Sequence, residues 1–161
     1  MTSLHQEFKQ QLMLELETAQ TLHQLLTKER ELLDPPELHA LKAIQKEKQQ
    51  HLTKLKQLTD QRCEWLQQHQ IPLDKHCIQH ASLRHDDEQQ QTELEALWQQ
   101  LADLFIENRK LTDILSGIVL RARQRTQNLL KILRGQKNAP NLYTKSGQSM
   151  STENSNGYAK A

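Results

Sequence analysis

The chain has 161 residues, of which 35% are hydrophobic and only 4% aromatic, with four Gly and four Pro, while Leu (28) and Gln (23) dominate. This composition excludes a β-sandwich or barrel, which needs many turns and many β-branched or aromatic residues, and a Rossmann or P-loop enzyme, which needs a glycine-rich phosphate loop. Charge is nearly balanced, with 21 Lys+Arg against 20 Asp+Glu, which argues against a dedicated nucleic-acid binder.

The mean hydropathy of −0.83 means that the apolar residues are few and must be gathered into stripes. The first such stripe spans about residues 4–33. Leu4, Phe8, Leu12, Leu16, Ala19, Leu22, Leu26 and Leu33 recur at mostly three- and four-residue steps, the signature of one helical face. Leu14, Leu25 and Leu32 widen it.

Asp34-Pro35-Pro36-Glu37 is the clearest punctuation in the chain. Asp34 suits an N-cap, Pro35 the first helical position and Glu37 the third. A connection this short makes the flanking helices antiparallel neighbours. The second helix is expected from Pro35 to His69, with Leu38, Leu41, Ile44, Leu52, Leu55, Leu58, Arg62, Trp65 and Leu66 on its stripe. Lys48 also falls there, and its stem is expected along the core with the ammonium in water.

Gln70-Ile71-Pro72-Leu73 breaks the second helix, and Asp74 is placed to cap a short connector helix running from Cys77 to Leu83. The third helix is the longest, from about Asp86 to Arg134. Leu94, Leu97, Leu101, Leu104, Asn108, Leu111, Leu115, Ile118, Ala122, Thr126, Leu129 and Leu133 form a heptad seam, the pattern of coiled-coil packing. Asn108 within such a seam fixes register. Gly135 ends the helix as a C-terminal cap residue.

Charge is polarised along this helix. Asp86 to Glu95 holds five acids and no base, whereas Ile114 to Thr152 holds seven bases and no acid. After Gly135 the sequence turns to Asn, Ser, Thr, Gly and Lys, a composition expected to be flexible. Leu142-Tyr143 stands out there as an apolar pair.

The expected fold is therefore all-α: an antiparallel bundle of three long helices with coiled-coil-like packing, a short connector helix and a flexible C-terminal tail. Residues 1–134 form the helical domain and 135–161 the tail, with a docking motif at 142–148. At ~1.5 Å per residue the helices measure ~45, ~52 and ~73 Å. The third is too long to be covered by the others, so its end, about residues 116–134, overhangs with an unpaired apolar stripe. Exposed stripes of this kind mark partner sites.

Chemistry is sparse. Cys77-Ile-Gln-His80, with His76, His85 and Cys63 in range, offers half of a zinc site without the second paired cluster; it reads as a polar connector, and no metal or cofactor is expected. Ser82, His85 and Asp86 are close in sequence but lack a scaffold and an oxyanion hole, so no catalytic residues are assigned and the chain is not expected to be an enzyme. The basic helix end lacks interleaved aromatics, so no nucleic acid is expected. Charges and Gln interrupt any signal-peptide core near Met1, and no run approaches ~18 apolar residues; a cytoplasmic location without membrane insertion is expected. Two cysteines form no disulfide framework.

The sequence resembles the FlgN-type flagellar export chaperones over about residues 4–149. The first two helices carry Leu25-Leu26-x-x-Glu29-x-x-Leu32-Leu33, then Leu41, Lys48, Leu52, Leu55 and Arg62. The more telling match is C-terminal: Asn108, the helix through Gly117, Leu129-Leu130-x-x-Leu133, then Leu142-Tyr143-Thr-Lys-Ser-Gly147-Gln148-Ser149, similar to the family's Leu-Tyr-x-x-x-Gly-Gln motif. One departure is visible, Asn108-Arg109 where the family often has Asn-Gly.

The resemblance implies a cytoplasmic chaperone of type III flagellar export whose clients are hook-associated proteins. It implies that the last helix holds the client's C-terminal segment, which places client binding on Ile118, Val119, Ala122, Leu129, Leu130, Ile132 and Leu133. It assigns docking at the export gate's cytoplasmic domain to Leu142, Tyr143, Gly147 and Gln148. A monomer or weak homodimer is expected. The competing reading is a homo-oligomeric coiled-coil scaffold without a client, which explains the heptads equally well but not the tail motif.

Overall fold

The computed structural model describes residues 3–135, together with the backbone of 142–143 and 149–150. Ser3 opens the first helix, α1 (Leu4–Leu32): its side chain accepts a hydrogen bond from the Gln6 amide, satisfying one of the orphan donors of the first turn. The helix contains no Gly or Pro, and its buried face holds Phe8, Leu12, Leu16, Ala19, Leu22, Leu25 and Leu26. Leu14 does not widen that face. It is half exposed, as is its neighbour Met13, while the buried position beside them is taken by Glu15, which pairs with Arg62 of α2.

The second helix, α2 (Leu38–Gln68), starts later than the sequence suggests. Glu37 stands at its N-cap without a side-chain cap bond. The Asp34-Pro35 bond is cis, and Leu33 bridges Pro36. The reason for the later start is steric: a residue that precedes proline is disfavoured in helical geometry, so Pro35, followed by Pro36, cannot be a first helical residue. Leu38, expected on the stripe, is 73% exposed.

Side-chain pairs fix how these elements meet. Between α1 and α2 the pairs are Glu7 with Trp65, Glu15 with Arg62 and Glu29 with Lys48; one number rises as the other falls. The third helix, α3 (Glu88–Leu133), pairs with α1 in the opposite sense, through Lys9 with Glu93 and Ala19 and His23 with Asn108. Here both numbers rise together. Asn108 is buried and uses both ends of its amide, donating to the Ala19 carbonyl at 3.1 Å and accepting from His23 Nδ1 at 2.8 Å.

Lys48 departs from expectation. Its ammonium does not end in water but donates to both carboxylate oxygens of the buried Glu29, at 3.1 and 2.9 Å, beside a further hydrogen bond from Gln45. A buried carboxylate without a counter-charge would be costly, and this position on the α2 stripe supplies one.

Between α2 and α3 the chain makes a 3-10 turn at Cys77–Gln79 rather than a helix reaching Leu83. Asp74 accepts from the His76 amide. Ile71, Cys77, Ile78 and Leu83 are buried and join Phe8, Leu12, Leu66, Leu94 and Leu101 in the main core. Phe8 is stacked by Trp65 and by Trp98. A second core pocket gathers Leu22, Leu26 and Leu115. At the start of α3, Asp87 accepts from the Gln89 amide.

The chain divides into two compact units, Met1–Ser116 and Gly117–Ala161, and the division falls within α3. In the second unit, α3 ends at Leu133 and is followed by Gly135, whose φ of +70° suits glycine and whose amide donates to the Ile132 carbonyl. Leu142–Tyr143 forms a two-residue strand, β1, antiparallel to β2 (Ser149–Met150), with Leu142 opposite Met150 and Tyr143 opposite Ser149. The expected flexible tail otherwise lies outside the described residues.

Candidate functional site

The stretch 117–133 of α3 is helical throughout. It holds no proline, and arginine, leucine, lysine and alanine, all good helix formers, dominate it. Leu115 is the last buried residue of the helix, and every residue from Val119 to Gly135 is exposed. Val119 is 51% exposed, Leu129 60%, Leu130 45%, Ile132 60% and Leu133 82%. Ile118 is half-buried and Ala122 exposed.

Helical geometry decides which of these share a face. At about 100° per residue, Ile118, Leu129, Ala122, Leu133, Thr126, Val119 and Leu130 follow one another across an arc of about 120°. Ile132 lies just outside that arc, between Arg121 and Arg125, and Leu120 faces away. Six of the seven apolar residues singled out in the sequence thus line one stripe, with Ile132 at its edge. Of the second group, Leu142 and Tyr143 lie in β1, whereas Gly147 and Gln148 fall outside the described residues.

A second apolar surface was missed in the sequence. A groove of about 540 Å³ is lined by Gln10, Met13, Leu14, Leu16, Glu17, Gln20 and Leu97, between α1 and α3. Its signal was the adjacent pair Met13-Leu14, which one buried helical face cannot absorb along with Leu12 and Leu16.

Cys77 is buried, and burial pushes its thiol up, with the Arg62 guanidinium opposing. His80 Nδ1 accepts from the Ser82 amide, and among the described residues no group of three or more His, Cys, Asp or Glu is gathered as metal ligands would be. No helix among the described residues is long and apolar enough to cross a membrane.

The family model described as FlgN protein matches residues 1–151. The chain belongs to the FlgN family. FlgN is a family of flagellar export chaperones, and the match takes in all three helices and both strands of this FlgN chain. The apolar stripe of α3 and the Leu142–Gln148 segment are therefore both within the FlgN-matching region. No curated protein and no solved structure matches the chain.

Proposed function

We propose that this FlgN-family protein is a cytoplasmic type III export chaperone that binds the C-terminal segments of hook-associated proteins, keeps them from assembling early and delivers them to the export gate. The observation that carries this reading is the run of exposed apolar side chains on 117–133 of α3. An amphipathic helix laid along such a stripe buries apolar surface on both partners. In this reading the three helices of the first unit form an antiparallel bundle, consistent with the pairing senses of α1 with α2 and of α1 with α3. Residues 118–133 hold the client through Ile118, Val119, Ala122, Leu129, Leu130, Ile132 and Leu133. Leu142, Tyr143, Gly147 and Gln148 serve the separate step of docking at the gate's cytoplasmic domain.

The test uses the full chain and three proteins: the parent, a Leu129→Asp/Leu133→Asp variant and Tyr143→Ala. Purified hook-associated protein is titrated into each by calorimetry, and the gate's cytoplasmic domain is titrated into the resulting complexes. The stripe variant is expected to lose client binding. The tyrosine variant is expected to keep the client and lose the gate. Client loss in Tyr143→Ala would sink the division of labour. Sedimentation separates the scaffold reading, which requires a stable dimer or higher and no one-to-one complex with a client.

A further inference from the structure

The apolar stripe has charged borders, and their sign is uniform. At about 100° per residue, Arg121 and Arg125 fall along one edge of the stripe and Arg123 and Arg134 along the other. All four are exposed. The sequence from Ile114 to Thr152 contains no Asp or Glu, and among the described residues none of the four arginines forms an ion pair.

We infer that the partner seated on this stripe is an acidic amphipathic helix, with carboxylates flanking its apolar positions so that they meet Arg121 and Arg125 on one side and Arg123 and Arg134 on the other. The inference rests on the docking function proposed for the stripe and adds the charge of the occupant. Two further observations select a helix. Ala122 and Leu129 of the stripe continue the seven-residue spacing by which Leu94, Leu101, Asn108 and Leu115 bury themselves upstream on the same helix, a heptad spacing suited to helix–helix packing. The edge arginines stand where residues bordering a coiled-coil seam choose partners by charge.

The same borders select against other occupants. Two copies of this chain paired through the stripe would bring arginine edges against arginine edges, and like charges facing across an interface are repelled. A basic amphipathic helix also suits an anionic membrane surface. Such helices carry Trp, Phe or Leu on the apolar face; the stripe has the leucines but no aromatic residue between Ile106 and Asn141, and vesicles are therefore one arm of the test.

The experiment uses the full chain and two synthetic helical peptides with identical apolar positions. One carries Glu and the other Lys at the flanking positions. Fluorescence anisotropy is read at about 50 mM and about 500 mM salt, and phosphatidylglycerol vesicles are tested separately by sedimentation. The Glu peptide is expected to bind at least about tenfold more tightly at low salt, with the gap narrowing at high salt. The Arg121→Glu/Arg125→Glu variant, altered only at exposed positions, is expected to reduce or reverse that preference. Equal binding of the two peptides overturns the charge inference and leaves docking on the stripe standing. Binding of neither peptide overturns docking itself. Vesicle binding without peptide binding overturns both in favour of a membrane surface.

Discussion

Arg62 Nε donates to Glu15 Oε1 at 2.6 Å, joining α2 to α1 through two side chains that are 10% and 1% exposed. Thr59 adds a second donor to the same carboxylate, and the Arg62 guanidinium lies 5.3 Å from the centre of the Trp98 ring. This pair couples three helices at one level. Arg62→Ala strands the carboxylate and is expected to destabilise the protein by about 3–5 kcal/mol. Replacing both residues by Met is expected to cost far less, because no unpaired charge is left behind. Urea unfolding of the two variants, followed by circular dichroism, measures the difference.

The core and the stripe are both rich in leucine, yet they respond differently to truncation. Leu101 is 2% exposed and Leu129 is 60% exposed. Leu101→Ala is expected to cost about 2–5 kcal/mol, from lost transfer energy and the cavity left. Leu129→Ala is expected to change stability by no more than about 0.5 kcal/mol. Thermal unfolding distinguishes them, and a large loss in Leu129→Ala would show that the stripe is part of the fold's own core.

Acid acts on the α1–α3 pair. Hydrogen bonding from the Lys9 ammonium, helped by Gln89, holds the Glu93 carboxyl below the usual carboxylate range. A carboxylate with a lowered folded-state value contributes stability that is fully present above its ordinary value, about 4.3, and is lost as pH falls through the lowered one. Glu93→Gln is therefore expected to be the less stable protein at neutral pH and to converge with the parent in acid. Urea midpoints measured across that window report the convergence.

Gly117 stands in mid-helix without a steric reason to be glycine. Among the described residues a Cβ there would meet only Arg121 Nη1, at 3.9 Å, an ordinary contact. Gly117→Ala is expected to stabilise the surrounding helix by about 0.5–1 kcal/mol. Amide exchange across residues 114–121 is expected to slow correspondingly.

The helices were legible because periodicity is a property of one strand of sequence. Phe8, Leu12, Leu16, Leu94 and Leu101 declare their face by spacing alone. The buried charges were half legible: Lys48 and Arg62 stood out on the α2 stripe, but their partners Glu29 and Glu15 read as ordinary surface acids, since the match depends on the register between two helices. Leu14 and Leu38 misled for the converse reason. Their apolar character suggested burial, but the inward position beside Leu14 belongs to Glu15, and the Pro35-Pro36 turn leaves Leu38 at the open end of its helix. The stripe at 118–133 was legible as a pattern, because spacing defines it, whereas the α1–α3 groove required two helices to be brought together.

Both tryptophans, Trp65 and Trp98, stack on Phe8, while both tyrosines of the chain, Tyr143 and Tyr158, lie beyond Gly135. The protein thus carries two optical reporters in separate stretches of sequence. Red-edge excitation of the indoles follows the packing of the three helices around Phe8. The phenols, with no indole or phenylalanine among residues 107–161, report on the C-terminal stretch. A titration that perturbs one emission and leaves the other unchanged identifies, without any label, which part of the chain a ligand has reached.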